Sequence, residues 1–365
     1  MVASPISSST LASPRRGLGR FMPAVALGVA VTGSAFGQEA LVTGAEEAAW
    51  SIRFDMARCV QSPLGQELLA HWEEEEDADA DELFEGLLEA SGLDLREDVG
   101  EVLLMGDGYD GEGLRVLAAE LSDTPGQIEG WLLTMPGYES AELDDTTLIH
   151  SFLMMDDDDD YEDHDDPFAD NHIPRVWAAL PQAGADGPYF AVAATDPDQA
   201  RAMAEAVRNG TSRLTADGLA EGVLIELNAR NLHDLPMDAD EMGSQVLASM
   251  RAVAITLANP DEETVNLSVR LTAQSPARGR QIAQLLRGLL ALPQLAAVED
   301  DEAQDLAEVA QRVTIGYEAG SNEVTASATA EPDELVWAMH LLHELDDDDD
   351  WDEEEDEQEW DEDDD

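Results

Sequence analysis

Four times this chain alternates apolar and polar residues through a hairpin and then meets a proline opening an apolar-striped segment. That repeated unit constrains the fold more than any other feature. The junctions are Thr124-Pro125, Asp196-Pro197, Ser275-Pro276 and Glu331-Pro332. In the copy from Thr264 to Leu292, Val265, Leu267, Val269 and Leu271 alternate with Asn266, Ser268, Arg270 and Thr272. Strand side chains point to opposite faces in turn, so a period of two predicts a strand with one buried face. Ser275 then predicts an N-cap whose hydroxyl accepts an orphan backbone N–H. Pro276 predicts the first helical residue, where no amide hydrogen is needed. Ile282, Leu285, Leu286, Leu289 and Leu290 recur at spacings of three and four, the stripe of a helix packed on one side.

Read in order, the units fall into two series. Trp50, Ile52, Phe54 and Met56 alternate with Ser51, Arg53 and Asp55 as a strand, and Ser62-Pro63 opens a helical region carrying Leu64, Leu68 and Leu69. A second helical piece is expected from Leu83 to Leu93. Hairpins are expected at Val102–Met105 with Leu114–Leu121 and at Val176–Leu180 with Tyr189–Ala194. A strand is expected at Leu148–Met154, and helices after Pro125 and from Pro197 to Val207. The plan then restarts, because Val223, Ile225 and Leu227 are spaced like Trp50, Ile52 and Phe54. A helix near Met242–Met250, the hairpin Val253–Leu257 with Val265–Leu271, the Pro276 helix and a short helix near Ala303–Val309 follow. The hairpin Val313–Tyr317 with Val324–Ala328 and the Pro332 helix complete the series. The expected fold is α+β: a tandem duplication of a β-α-ββ-α-ββ-α unit, with mainly antiparallel sheets and helices packed on one face.

The expected boundaries are a signal peptide at 1–37, a first repeat at 48–210, a second at 220–345 and a disordered acidic tail at 346–365. The first repeat is the longer one, and its extra length coincides with acidic insertions at 73–82 and 156–171. The tail is acidic at every position except Trp351, Gln358 and Trp360, and self-repulsion on that scale opposes folding.

Residues 1–37 carry Arg15, Arg16 and Arg20, then the apolar run Phe21 to Val31, then Ala35-Phe36-Gly37. Charge, a core too short to span a bilayer and small residues in that order predict export, with cleavage before Gln38. Arg15-Arg16 leaves twin-arginine export open beside the general secretory route. The mature protein is expected in the periplasm or outside the cell, with no membrane segment. Net charge is −64, with 82 acidic residues against 18 basic ones, all arginine. Such a field repels nucleic acid and anionic membranes and favours cations or a basic protein as partners. A single cysteine, Cys59, excludes an intramolecular disulfide framework and is read as a buried or half-buried inert thiol.

Candidate chemistry is sparse. His340 and His343 lie three apart on the last helix, with Glu344 and Asp346 beside them, so both could face one metal. The His-Glu-x-x-His pattern is absent, and histidines at a helix end also satisfy its C-terminal dipole. Asp156, Asp158, Asp160 and His164 are candidate cation ligands, although no EF-hand spacing is present. The Asp107–Gly113 loop has the composition of a Ca²⁺ loop, which hairpin-turn chemistry explains equally well. There is no Gly-x-Ser-x-Gly elbow and no glycine-rich phosphate loop. Trp72, Trp131, Trp177 and Trp337 are expected on apolar faces. No cofactor is expected beyond weak Ca²⁺ binding.

Ser62-Pro63-Leu64-Gly65-Gln66-Glu67-Leu68, followed by Gly92-Leu93-Asp94-Leu95-Arg96-Glu97-Asp98 and a strand, resembles exported bacterial proteins of unknown function built as duplicated α+β units. The resemblance implies export and a non-enzymatic character, and carries over no site residues. Three functions are therefore expected in order: a non-enzymatic binding or structural component, a low-affinity Ca²⁺-binding or adhesion protein acting through its acidic segments, and a hydrolase whose carboxylates and histidines converge only in the fold.

Overall fold

The computed structural model describes residues 48–76, 88, 92–107, 114–122, 126–143, 147–153, 175–184, 187–212, 214, 218–232, 246–261, 263–296 and 301–337. The export signal, the run 156–166 with its insertion to 171, nearly all of the helical piece at 83–93 and the tail lie outside them. Helices and antiparallel strands make up the described chain, an α+β fold, and every strand pairing described is antiparallel.

The strands are β1 (Trp50–Asp55), β2 (Val99–Gly106), β3 (Leu114–Leu121), β4 (Glu139–Glu142), β5 (Leu148–Leu153), β6 (Arg175–Ala179), β7 (Tyr189–Ala194), β8 (Val223–Arg230), β9 (Met250–Ala258), β10 (Val265–Ala273), β11 (Thr314–Glu318) and β12 (Glu323–Ala330). The helices are α1 (Met56–Gln61), α2 (Pro63–Glu76), α3 (Gly126–Leu132), α4 (Pro197–Arg208), α5 (Pro276–Leu289), α6 (Leu292–Ala296) and α7 (Asp301–Arg312), and residues 332–337 are also helical.

Thr124-Pro125 lies outside the described residues, and the other three proline junctions act as caps. Asp196 is extended, and its carboxylate accepts the N–H groups of Asp198 at 2.8 Å and Gln199 at 2.9 Å, with Pro197 opening α4. Ser275 accepts the Arg278 N–H at 3.3 Å ahead of Pro276. Ser62 does the same for Gly65 at 3.0 Å, capping α2. Before Pro332, Glu334 reaches back to accept the Glu331 N–H at 3.0 Å, half of a capping box. Each such contact satisfies a donor that a helix start leaves without an intrahelical partner.

Two compact units form. The described residues of 48–57, 88–219 and 227–248 form the first, and those of 58–76, 220–226 and 249–337 the second. In the first, the strands run in the order β1-β2-β3-β7-β6-β5-β4. Helix α4 lies on β3, β6 and β7. Its Ala200, Met203 and Val207 are fully buried with Leu103, Met105, Val116, Ala118, Phe190 and Val192. These are the inward positions of β2, β3 and β7, so the alternation of each strand decides the face that α4 covers. Met203 alone buries a whole side chain, a contribution of about 1.5–3 kcal/mol.

In the second unit β9, β10, β12 and β11 follow one another, with α5 on β10, β11 and β12 and α7 on β12. Leu64 of α2 is buried with Leu224, Val265 and Val336, and Cys59 packs beside them. The outer strand β11 is closed off by α5: Arg287 donates to the Ile315 carbonyl at 3.1 Å and the Tyr317 hydroxyl donates to the Pro276 carbonyl at 2.8 Å. Gly279 makes that approach possible, since a Cβ there would stand 2.7 Å from the Tyr317 ring.

Several elements differ from the sequence reading. Met250 opens β9 rather than closing a helix, and only residues 246–247 are helical in the described part of that segment. β4 and α6 were not expected, the first because Glu-Ser-Ala-Glu has no apolar alternation and all four residues are exposed. Glu73 to Glu76, the start of the first acidic run, are the last turn of α2.

Candidate functional site

β1 was expected to bury one face, with Ser51, Arg53 and Asp55 as its polar side. Instead Ile52 and Phe54 are 7% and 6% exposed while Ser51 and Arg53 are 1% and 2% exposed, so the strand is buried on both faces. A buried guanidinium requires a charge partner. The register supplies one, because Asp55 stands opposite Glu101 and Arg53 opposite Leu103. That places Arg53 diagonally across from Glu101, within reach of a long side chain. Arg53 Nε donates to Glu101 Oε1 at 2.8 Å, and a second guanidinium nitrogen donates to the same oxygen. Glu101 Oε2 accepts the Leu219 N–H at 2.9 Å. Ser51 Oγ has no hydrogen-bond partner among the described residues.

Glu120 of β3 joins this group. Burial raises its pKa above the ordinary glutamate value, and the nearby charges of Glu101 and Asp55 push it the same way. Three carboxylates and one arginine thus share one region of the first unit. A carboxylate held up by desolvation and by like charges is how a general acid is made, and also how a structural ion network looks.

The second buried titratable group is His150 on β5, 2% exposed. Its Nδ1 lies 2.9 Å from the Tyr138 hydroxyl, which donates to it when the ring carries its hydrogen on Nε2. The rings are 5.9 Å apart at centroid and tilted by 37°. Burial lowers the histidine pKa, and Glu129 opposes that shift. On the adjacent residue, Arg175 donates to Ser151 Oγ at 2.9 Å. The sequence reading passed over Arg53, Glu101, Glu120 and His150. The available signal was a histidine in an apolar strand and an arginine between Ile52 and Phe54.

The residues singled out from sequence fall elsewhere. His340, His343, Asp156, Asp158, Asp160 and His164 all lie outside the described residues. Among the described residues no group of three or more His, Cys, Asp or Glu side chains is placed to hold a metal. Asp107, at the mouth of the glycine-rich turn, accepts Arg115 Nε at 2.7 Å. Cys59 is half-buried, its Sγ 3.5 Å from the Leu224 carbonyl. Trp131, Trp177 and Trp337 are half-buried, and no described helix is long and apolar enough to cross a membrane.

Compared with protein-family models and with curated proteins, the sequence has no match. Among solved structures, one described as crystal form IV of TP0453 aligns with 80% of this chain and 92% of its own, at 9% identity and a TM-score of 0.41.

Proposed function

We propose that this chain is an exported protein that acts by binding or as a structural component and carries out no catalysis. What supports the reading is how Glu101 and His150 are held. Both oxygens of Glu101 are taken, one by Arg53 and one by the Leu219 backbone, and His150 is held by Tyr138. Groups committed in this way hold a fold together and are poorly placed to meet a substrate. Export to the periplasm or medium rests on the ordered charged, apolar and small-residue regions of 1–37. The tandem duplication rests on the order of the four proline junctions, with helix starts capped at both Asp196-Pro197 and Glu331-Pro332; superposition should set Pro125 on Pro276 and Pro197 on Pro332, and helices starting at unrelated places would contradict it.

The test is an assay of full-length protein recovered from the periplasm or medium against ester, glycoside and peptide substrates. We expect an intact mass beginning at Gln38 and no turnover. Turnover abolished by Glu120→Gln or His150→Gln in a folded variant would overturn the non-catalytic reading in favour of a hydrolase. A second reading, low-affinity cation binding or adhesion through the acidic segments, is favoured by the charge itself: 82 acidic against 18 basic residues. Calorimetric titration is expected to give Ca²⁺ dissociation constants on the order of 10⁻⁴–10⁻³ M, the range of loosely organised extracellular sites.

A further inference from the structure

In a chain of net charge −64, residues 264–298 contain no aspartate or glutamate and four of the 18 arginines. The centre of this stretch is α5, with Arg278, Arg280 and Arg287 all exposed. Its inward side is used up: Gly279, Ile282 and Ala283 are buried. Its outward side, along Ala277, Gln281, Gln284 and Gly288, is uncharged and is flanked by Arg278 on one edge and by Arg280 and Arg287 on the other, and two leucines at its far end are left in solvent, Leu289 at 49% and Leu292 at 56% exposure. Two of the guanidinium groups meet carbonyls, Arg280 Nε that of Pro276 at 3.3 Å and Arg287 that of Ile315 at 3.1 Å, and neither contact neutralises the charge. Exposed apolar residues adjoining a single-sign patch are the composition of an interaction surface.

The chain carries a complementary segment. Seventeen of the twenty residues Asp346–Asp365 are acidic, and Trp351 and Trp360 are interspersed among them. We propose that the outward face of α5 is the docking surface for this C-terminal segment of the same molecule, its carboxylates on Arg278 and Arg280 and its tryptophans towards Leu289 and Leu292. Reach permits it. Val336, one residue from the end of the described helix, is buried with Val265 of β10, and α5 packs on that same strand. Residues 338–345 span up to ~28 Å when extended, comparable with the length of a nine-residue strand. Tethering keeps the local concentration of the segment on the order of 1 mM, so weak contacts suffice and the chain's own tail outcompetes a dilute acidic partner. Salt weakens the contact, because each pair is solvent-exposed.

The experiment is a distance measurement between spin labels at Ala291→Cys and Gln358→Cys in full-length Cys59→Ala protein. At low ionic strength a short-distance population is expected. In Arg278→Gln/Arg280→Gln it should fall about fivefold, the loss of two exposed ion contacts, and 1 M salt should abolish it. Arg287 is left in place because it holds the Ile315 carbonyl. If that variant fails to fold, Asp346–Asp350→Asn removes the other half of the contact and should give the same loss. An identical broad distribution in parent and variant would overturn the proposal. So would a short-distance population that disappears on dilution with unlabelled protein, since the surface would then be taking the segment of a second copy.

Discussion

Arg53 carries the most consequence of any single side chain in the first unit. At 2% exposure it is a charge buried on the strand face expected to be polar and open, and Glu101 answers it from the neighbouring strand. Glu101→Ala would leave a buried guanidinium without that partner and should cost roughly 3–5 kcal/mol in denaturant unfolding. Arg53→Met/Glu101→Gln removes the charges together and keeps an acceptor for Leu219, so it should lie within about 1 kcal/mol of the parent. A double variant as unstable as the single one would show that Arg53 is held by something other than this pairing. Two other groups pull stability in opposite directions with pH. His150 has a folded pKa below its ordinary 6.5, so its stabilising contribution is present above that value and is lost as pH falls through the folded pKa. Glu120 has a folded pKa above its ordinary 4.5, so its contribution is present below that value and is lost as pH rises through the folded pKa. Melts between pH 4.5 and 6.5 should therefore lose less on acidification in His150→Gln than in the parent, and lose more in Glu120→Gln. Slopes unchanged in both variants would contradict the assignment. None of these four residues was visible as a site in the sequence, because alternation reports polarity and spacing but not whether the second face of a strand is covered.

Elements were more legible, and the reason is local. Caps and period are set by residues within four positions of one another, so Asp196-Pro197 and Ser275-Pro276 announce their helices and Asn209-Gly210 closes α4, with Gly210 at φ 65°. Asp196→Ala and Ser275→Ala should each cost about 1 kcal/mol in thermal or denaturant unfolding. Gly279→Ala should cost more, about 1–3 kcal/mol, because its methyl would meet the Tyr317 ring and push α5 off β11. A neutral Gly279→Ala would show that the helix can shift freely. β4 has no alternation to announce it because an exposed outer strand needs no apolar face; it pairs with the next strand, β5, as a hairpin, from Glu139 opposite Ser151 to Glu142 opposite Leu148. Met250 was misplaced for the related reason that an apolar residue between a helix signal and a strand fits either.

For the whole molecule, charge sets the question. The runs Glu73–Glu82 and Asp156–Asp166 hold two alanines and one tyrosine as their only apolar or aromatic residues, so they have little to bury. The described cores around Met203 in the first unit and around Leu64 in the second are built from apolar residues of other segments. On the proposed function, a self-sufficient α+β fold carries this acid as an appendage open to cations or to a basic partner. The measurement is thermal unfolding of the full chain against a chain lacking residues 77–82 and 156–166, at low and at high salt. Repulsion between exposed charges is screened over about 10 Å at 0.1 M ionic strength. The shortened chain should therefore melt with the parent at high salt and above it at low salt. A shortened chain that is unfolded at both salt concentrations would show that these runs are part of the fold.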